Sequence, residues 1–245
     1  MKCKLTIAFD GTAYEGWRSQ RADHGVQHVI EKAWLHKFQT DPQFISSSRT
    51  DSGVHAMGLV AHAIMPNEKI PAHKIPEIIN ASLPADIRIV AAKKVTDSFD
   101  ARFDAIGKEY RYQVSNHPVM NPLLRLHAWH VPKELDQDAM KAAANLFIGT
   151  HDFKAFTAKR NGILADTTRT LSRCEIKHSG SLITCRIEGN GFLYKMCRAI
   201  VGSIIRVGSG ASTTQEINEA LNAKASPKSR MIAPAHGLTL WKVRY

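Results

Sequence analysis

One segment of this 245-residue chain gathers the residue types that chemistry needs: Ser46-Ser47-Ser48-Arg49-Thr50-Asp51-Ser52-Gly53-Val54-His55-Ala56. It holds a single carboxylate, Asp51, among small polar residues, with the guanidinium of Arg49 two positions earlier. Serines and a glycine let a loop backbone approach a ligand closely, and loops on a rigid scaffold often carry catalysis. A carboxylate in such a loop can act covalently, as a nucleophile. The ordinary role of a lone loop aspartate is a turn former or helix cap, and residue types alone leave both roles open.

No metal-ligand pattern competes with it. The four cysteines, Cys3, Cys174, Cys185 and Cys197, contain no CxxC pair, and the 12 histidines form no HExxH motif or close His/Cys cluster. We therefore expect no metal, and cysteines kept reduced in the cytosol. The most apolar run, Ala199 to Val207, is broken by Gly202, Ser203 and Arg206, short of the roughly 20 residues a membrane span needs. The N-terminal apolar stretch is too brief for a signal peptide. The expected location is cytoplasmic, with no membrane partner.

The elements that must position Asp51 follow from periodicity. Lys4 to Phe9 reads as a strand ending at Asp10-Gly11-Thr12. Val26, Ile30, Ala33, Trp34 and Phe38 repeat at helical spacing. Leu59 to Met65 is a second strand closed by Pro66-Asn67, Ile75 to Ser82 a short helix, Ile87 to Val95 a third strand and Lys108 to Val114 a fourth. Asp136 is placed to cap a helix through Phe147, with Gly149 ending it. Thr170 to Lys177 and Leu182 to Glu188 form a hairpin across Ser179-Gly180. A longer helix runs from about Phe192 to Val207, with Phe192, Met196, Ile200 and Ile204 as core positions. Thr213 and Glu216 make a capping box, and Leu238 to Tyr245 alternates as a last strand. The expected class is α+β. Two lobes, 1–105 with the Asp51 loop and 106–245, would share a mostly antiparallel sheet with flanking helices.

Charge points to the partner. Lys and Arg number 33 against 22 Asp and Glu, a formal net charge of +11. Such a surplus fits an acidic partner, most often nucleic acid, although solubility alone is the bland account. The basic residues are dispersed rather than gathered in a tail, so folding must assemble any binding surface.

The run Arg49-Thr50-Asp51-Ser52-Gly53-Val54-His55-Ala56 resembles the RTDxGVHA signature of the tRNA pseudouridine synthase A family. Further segments resemble that family in order: Phe9-Asp10-Gly11-Thr12 with Gly16-Trp17; Val26-Gln27 and Glu31; Asn80, Leu83-Pro84 and Asp86-Ile87; Phe99 and Ala101-Arg102-Phe103; Tyr110-Arg111-Tyr112. The second half continues with His151-Asp152-Phe153, Ala155-Phe156, Gly191-Phe192-Leu193, Met196, Arg198, Ile200-Val201-Gly202, Ala233-Pro234-Ala235, Gly237-Leu238 and Leu240. The chain departs from the family pattern at Ser46 to Ser48, where glycines are usual, at Asp100 in place of a histidine, at Arg18 in place of a glutamine, and at Lys195 and Cys197.

The resemblance implies a cofactor-free homodimer that isomerises uridine to pseudouridine in the tRNA anticodon stem-loop, at positions 38, 39 and 40. It implies two similar lobes flanking a basic cleft. It makes Asp51 the catalytic carboxylate, has Tyr110 line the target base, pairs Arg198 with the aspartate and lets Arg49 help displace the base. Leu238 joins the substrate-binding candidates. An arginine beside Asp51 would keep the carboxylate ionised. Tyr110 lies on a predicted strand with Tyr112, where core packing is the ordinary role; stacking on an extruded uracil is the functional one. Arg102, Lys108, Arg111, Lys154, Lys159, Arg160, Arg169 and Lys195 are candidate phosphate contacts. A non-catalytic RNA-binding or RNA-chaperone protein would share the charge, and a metal-dependent nuclease or deaminase would need ligands that the sequence does not cluster.

Overall fold

Alternation decides the first strand. In the computed structural model, β1 (Lys2–Phe9) buries Cys3, Leu5, Ile7 and Phe9 on one face and turns Lys2, Lys4, Thr6 and Ala8 to the other. The structure describes residues 1–19, 21, 24–65, 69–158, 166–223 and 231–245. The chain divides into two compact units, residues Met1–Ile106 with Thr239–Tyr245, and Gly107–Leu238.

In the first unit α1 (Val26–Phe38) follows the predicted span, burying Val26, Ile30, Ala33 and Trp34. It ends where Gln39 turns left-handed and donates its N–H to the Leu35 carbonyl at 2.9 Å. Next come β2 (Ile45–Ser46), β3 (His55–Ile64), α2 (Ile75–Asn80) and β4 (Ile87–Val95). β1 lies between β3 and β4, antiparallel to both. β3 starts four residues before the predicted Leu59, because Ala56 already pairs with Phe9 across the sheet. β4 carries a bulge: Thr6 faces Ala91 and Ile7 faces Ile89, leaving Val90 as the extra, exposed residue. Asn80 clasps this bulge. Its Nδ2 donates to the Ile89 carbonyl at 2.9 Å and its Oδ1 accepts from the Ile89 N–H at 2.8 Å.

The second unit contains β5 (Gly107–Ser115), β6 (Trp129–His130), α3 (Gln137–Asn145), β7 (Gly149–Asp152), β8 (Thr168–Ser179), β9 (Leu182–Gly189), α4 (Met196–Gly208) and α5 (Thr214–Ala223). Its strands run in the order β5-β9-β8-β7, all antiparallel, with β6 parallel beside β5. Asp136 caps α3 as expected, accepting from the N–H groups of Asp138 and Ala139 at 2.9 Å. Gly180, at φ +58°, turns the β8–β9 hairpin. Thr213 accepts from the Glu216 N–H at 3.3 Å ahead of α5.

Helix α4 begins at Met196, not at Phe192. Lys195 sits at φ +58°, a left-handed conformation that no α-helix includes, so the apolar spacing before it belongs to a turn. Within α4 eleven residues are buried, with Arg198 and Arg206 left at its margins. The chain closes with β10 (Leu238–Arg244), which pairs parallel to β3 through Thr239 with His55 and Leu240 with Ala56. Both units are thus α+β with mostly antiparallel strands, the class read from the sequence. All four cysteines are buried free thiols, and burial pushes the Cys3 thiol up to about 11. Among the described residues no helix is long and apolar enough to cross a membrane.

Candidate active site

In the first unit the Asp51 loop is held from two sides. Its near end is stitched to β3. Ser46 pairs with Ala61, the Ser47 N–H donates to the Val60 carbonyl at 2.8 Å, and the Val60 N–H donates to Ser47 Oγ at 3.4 Å. Ser46 Oγ donates to the Ser48 carbonyl at 3.1 Å. Of the three serines that replace the family glycines, Ser46 and Ser47 use their hydroxyls in these bonds, Ser48 Oγ is buried without a hydrogen-bond partner among the described residues, and none sits at positive φ.

The far side is held by the turn after β1. Buried Thr50 accepts the Trp17 N–H on Oγ1 at 3.0 Å. The Gly53 N–H and Ser52 Oγ both donate to the Tyr14 carbonyl, at 3.2 and 3.3 Å. The Gly11 N–H donates to buried His55 Nδ1 at 3.0 Å. Asp51 itself closes a turn, its main-chain carbonyl accepting from the Val54 N–H at 3.1 Å. Tyr14 anchors the outer turn by donating to Asp86 Oδ1 at 2.8 Å; burial and this bond raise its phenol well above the usual range. The result is a half-buried Asp51 on a backbone fixed by neighbours far away in sequence.

Two glycines make that approach feasible. A Cβ on Gly11 would lie 2.1 Å from the Val54 carbonyl oxygen. A Cβ on Gly16 would lie 2.2 Å from the Thr50 oxygen, and Gly16 also holds φ +93°. Gly16→Ala should therefore cost about 2 kcal/mol or more and displace the loop. Thermal melting should show a lowered midpoint and turnover should fall with it. Unchanged melting and turnover would show that the loop does not need this contact. Sequence reading did not single out Gly11, Gly16, Thr50 or Tyr14 as positioning residues. Their partners in the Asp51 loop are 33 to 44 positions away, and no local spacing announces that.

Arg49 is exposed at the entrance of this loop, and Arg102 is exposed on a turn of the same unit. In Asp100, partial burial opposes ionisation, but donations from the Phe103 and Arg102 N–H groups outweigh it and hold the carboxyl below its usual range. The carboxylate that replaces the family histidine thus builds the turn that carries Arg102.

The second unit carries the candidates Tyr110, Arg198, Lys108, Arg111 and Leu238. Tyr110 and Tyr112, two apart on β5, share one face of the strand. Tyr110 is 8% exposed and meets Phe192 edge-on, ring centroids 5.0 Å apart. Tyr112 is fully buried and donates its hydroxyl to the Pro234 carbonyl at 2.8 Å. Burial raises its phenol pKa far above the usual range, with the Arg198 charge pulling it back. Arg198 projects from the first turn of α4. Its Nε donates to the Ala233 carbonyl at 2.7 Å, and the Ala233 N–H donates back to the Arg198 carbonyl at 3.0 Å. Residues 233–234 thus strap both Arg198 and Tyr112. Leu238 is buried at the start of β10, and Lys108 is half-buried on β5.

Arg111 faces the opposite side of β5 from Tyr110. There its Nε donates to Glu109 Oε1 at 2.8 Å, inside a ladder in which Arg186 bridges Glu109 and Glu188, and Arg173 pairs with Glu188 and Glu175. Glu109 and Glu188 are nearly buried, so each needs its arginine. Among the other phosphate candidates, Lys154 is exposed, Arg169 lies 3.5 Å from Asp166, and the Lys195 ammonium sits 5.0 Å over the Tyr194 ring. Lys159 and Arg160 lie outside the described residues.

Comparison with known proteins adds a family. A profile described as tRNA pseudouridine synthase matches residues 5–104 and 143–245. A tRNA pseudouridine synthase A from Bacillus pumilus is 42% identical over 247 residues, spanning 100% of this chain and 99% of its own. The protein of that name from a Thermoanaerobacter species is 41% identical across 98% of both chains. The one from Akkermansia muciniphila is 40% identical across 100% of this chain and 95% of its own.

Proposed function

The chain belongs to the tRNA pseudouridine synthase family, isomerases that convert uridine to pseudouridine in tRNA, and from that premise we propose that it acts on the anticodon stem-loop, at positions 38, 39 and 40, with Asp51 as the catalytic carboxylate. The reaction breaks the bond between ribose C1′ and uracil N1, turns the base, joins C1′ to C5, releases the C5 proton and protonates N1. No electrons are gained or lost, and no water is consumed. The chemistry therefore asks for a carboxylate that can bond to the substrate or stabilise a sugar cation, and for a pocket that accepts an extruded base.

The observation that carries this reading is the fixed loop. Asp51 is half-buried on a backbone held by Thr50, Gly53 and His55, and it belongs to a chain with a net charge of +11. In this reading Tyr110 stacks on the target uracil, Arg198 is the cationic partner of the carboxylate, and Arg49 offsets part of the few kcal/mol lost when the base leaves its stack. Arg102 and Lys108 serve the RNA backbone and Leu238 packs beside the base, while Arg111, on the other face of β5, is engaged by Glu109. The protein works as a cytoplasmic homodimer, without metal or cofactor; sedimentation and turnover in chelator test those points.

The direct test is release of tritium from C5-labelled uridine in tRNA transcripts, followed by mapping of the modified positions. Label lost from sites outside the anticodon stem-loop would refute the assigned positions. For Tyr110, stacking makes a specific forecast. Tyr110→Ala should weaken tRNA binding by about tenfold, because base–aromatic stacking is worth roughly 1–3 kcal/mol. Tyr110→Phe should bind almost as wild type, since the ring remains. Equal dissociation constants for the two variants would remove stacking from the account.

A further inference from the structure

The turn between β4 and β5 is built with unusual care for a surface segment. Asp100 Oδ1 accepts from the N–H groups of Arg102 and Phe103 at 2.7 and 3.0 Å. The Asp100 N–H donates to Asp104 Oδ2 at 2.9 Å, and the Asp104 N–H returns to the Asp100 carbonyl at 3.0 Å. Ala101 between them is fully buried. Its N–H donates to His62 Nδ1 at 3.0 Å, and its carbonyl accepts from the Tyr245 hydroxyl at 2.7 Å. The turn is thus tied to β3 and to the C-terminal residue.

What this fixed turn presents is an aromatic ring in water. Phe103 is 77% exposed, and the Arg102 guanidinium lies over it, 5.2 Å from the ring centroid. A ring on a mobile loop can fold down onto the protein; this one is held out. A phenyl face backed by an arginine is suited to an unpaired nucleobase, because every base offers a π-face and its phosphate offers an anion. A planar guanidinium that stacks by its face still donates by its edge. The +11 charge of the chain favours a polyanionic occupant.

We propose that Arg102 and Phe103 form a second RNA contact, a platform on which an unpaired base of the substrate RNA, other than the target uridine, stacks. The proposal rests on the reading of the chain as a tRNA-modifying enzyme and adds a subsite to it.

The test measures dissociation constants for a tRNA transcript with the full-length protein and the variants Phe103→Ala, Phe103→Leu, Phe103→Tyr and Phe103→Trp. Since Phe103 is mostly solvated, all four should melt with the wild type. Ala and Leu should each weaken binding roughly tenfold, while Tyr and Trp hold it near wild type. Arg102→Ala should weaken binding and reduce the salt slope by about one. Full binding by Phe103→Ala overturns the proposal. So does a Leu variant that binds normally, since that is greasy contact and not stacking. A change of sedimentation coefficient in Phe103→Ala, with RNA affinity intact, assigns the ring to self-association and equally overturns it. A wild-type protein that neither binds nor isomerises tRNA would instead sink the function proposed above, a result distinguishable from these.

Discussion

Asp51→Asn should lower uridine isomerisation by about 10³-fold or more, roughly 4 kcal/mol of barrier, while tRNA still binds within a few-fold of the wild-type dissociation constant. The two side chains are nearly the same size, so the substitution removes a charge and a nucleophile without removing bulk. The loop should keep its shape, because the turn through Asp51 uses its main-chain carbonyl and the flanking bonds belong to Thr50, Gly53 and His55. An amide oxygen neither bonds usefully to C1′ or the base nor balances a developing sugar cation. Tritium release and a binding isotherm on the same preparations check both halves. Turnover within tenfold of wild type would dismiss the carboxylate as the catalytic group, and joint loss of binding and melting temperature would mean that the loop had been broken instead.

The contrast with Gly16→Ala is informative. That change leaves the carboxylate in place and removes the room beneath it, since the Thr50 oxygen lies where the new methyl would go. A defect there is a defect of position, and it should come with lost stability. The Asp51 defect should come without it. Comparing the two separates what the carboxylate does from what holds it.

Much of this could be read in the residues themselves, and the limits have physical causes. Helix α1 and strand β4 are readable to the residue: α1 has a buried face with clean periodicity, and β4 is a run of strand-forming residues with clear boundaries, even though its bulge at Val90 breaks the alternation. The alternation in Leu238 to Tyr245 announces a strand, but nothing local says that β10 lies parallel to β3; pairing partners are a property of the whole sheet. Helical spacing from Phe192 to Met196 runs four residues ahead of the true start of α4, across a left-handed Lys195, because side-chain pattern carries no record of φ. Strands β2 and β6, two residues each, are too short to have a period.

The same division runs through the candidate site. The loop around Asp51 stood out by composition, yet its supports did not, since Gly11, Tyr14 and Trp17 reach it only across the fold. Asp100 looked like a departure from a family pattern; in the structure its oxygen builds the turn under Arg102. Arg111 looked interchangeable with the other cations near Tyr110. Strand geometry puts it on the other face, where buried Glu109 already engages it. Charge and residue type can be counted in a sequence, but which face a charge occupies follows from register.

Arg198 carries the second large forecast. Its main chain and its Nε both bond to Ala233, at 3.0 and 2.7 Å, so the plane of the guanidinium is set by backbone as well as by its own rotamer. Lysine would keep the positive charge but has no Nε and no planar fork. Arg198→Lys should therefore lose about 10²-fold in turnover, with Arg198→Ala lower still, toward 10³-fold, as expected when a fixed cation is removed from a site of changing charge. The strap to Ala233 gives a competing explanation, because losing it could loosen the segment that also takes the Tyr112 hydroxyl. The two accounts differ in what moves. A cation acting on the reaction lowers the rate at saturating tRNA and leaves melting within a few degrees of wild type. A mere strap lowers the melting temperature, and its rate recovers when the assay is cooled. Arg198→Lys with normal saturating turnover and a depressed melting temperature would reduce Arg198 to a structural residue and leave Asp51 without its assigned cationic partner.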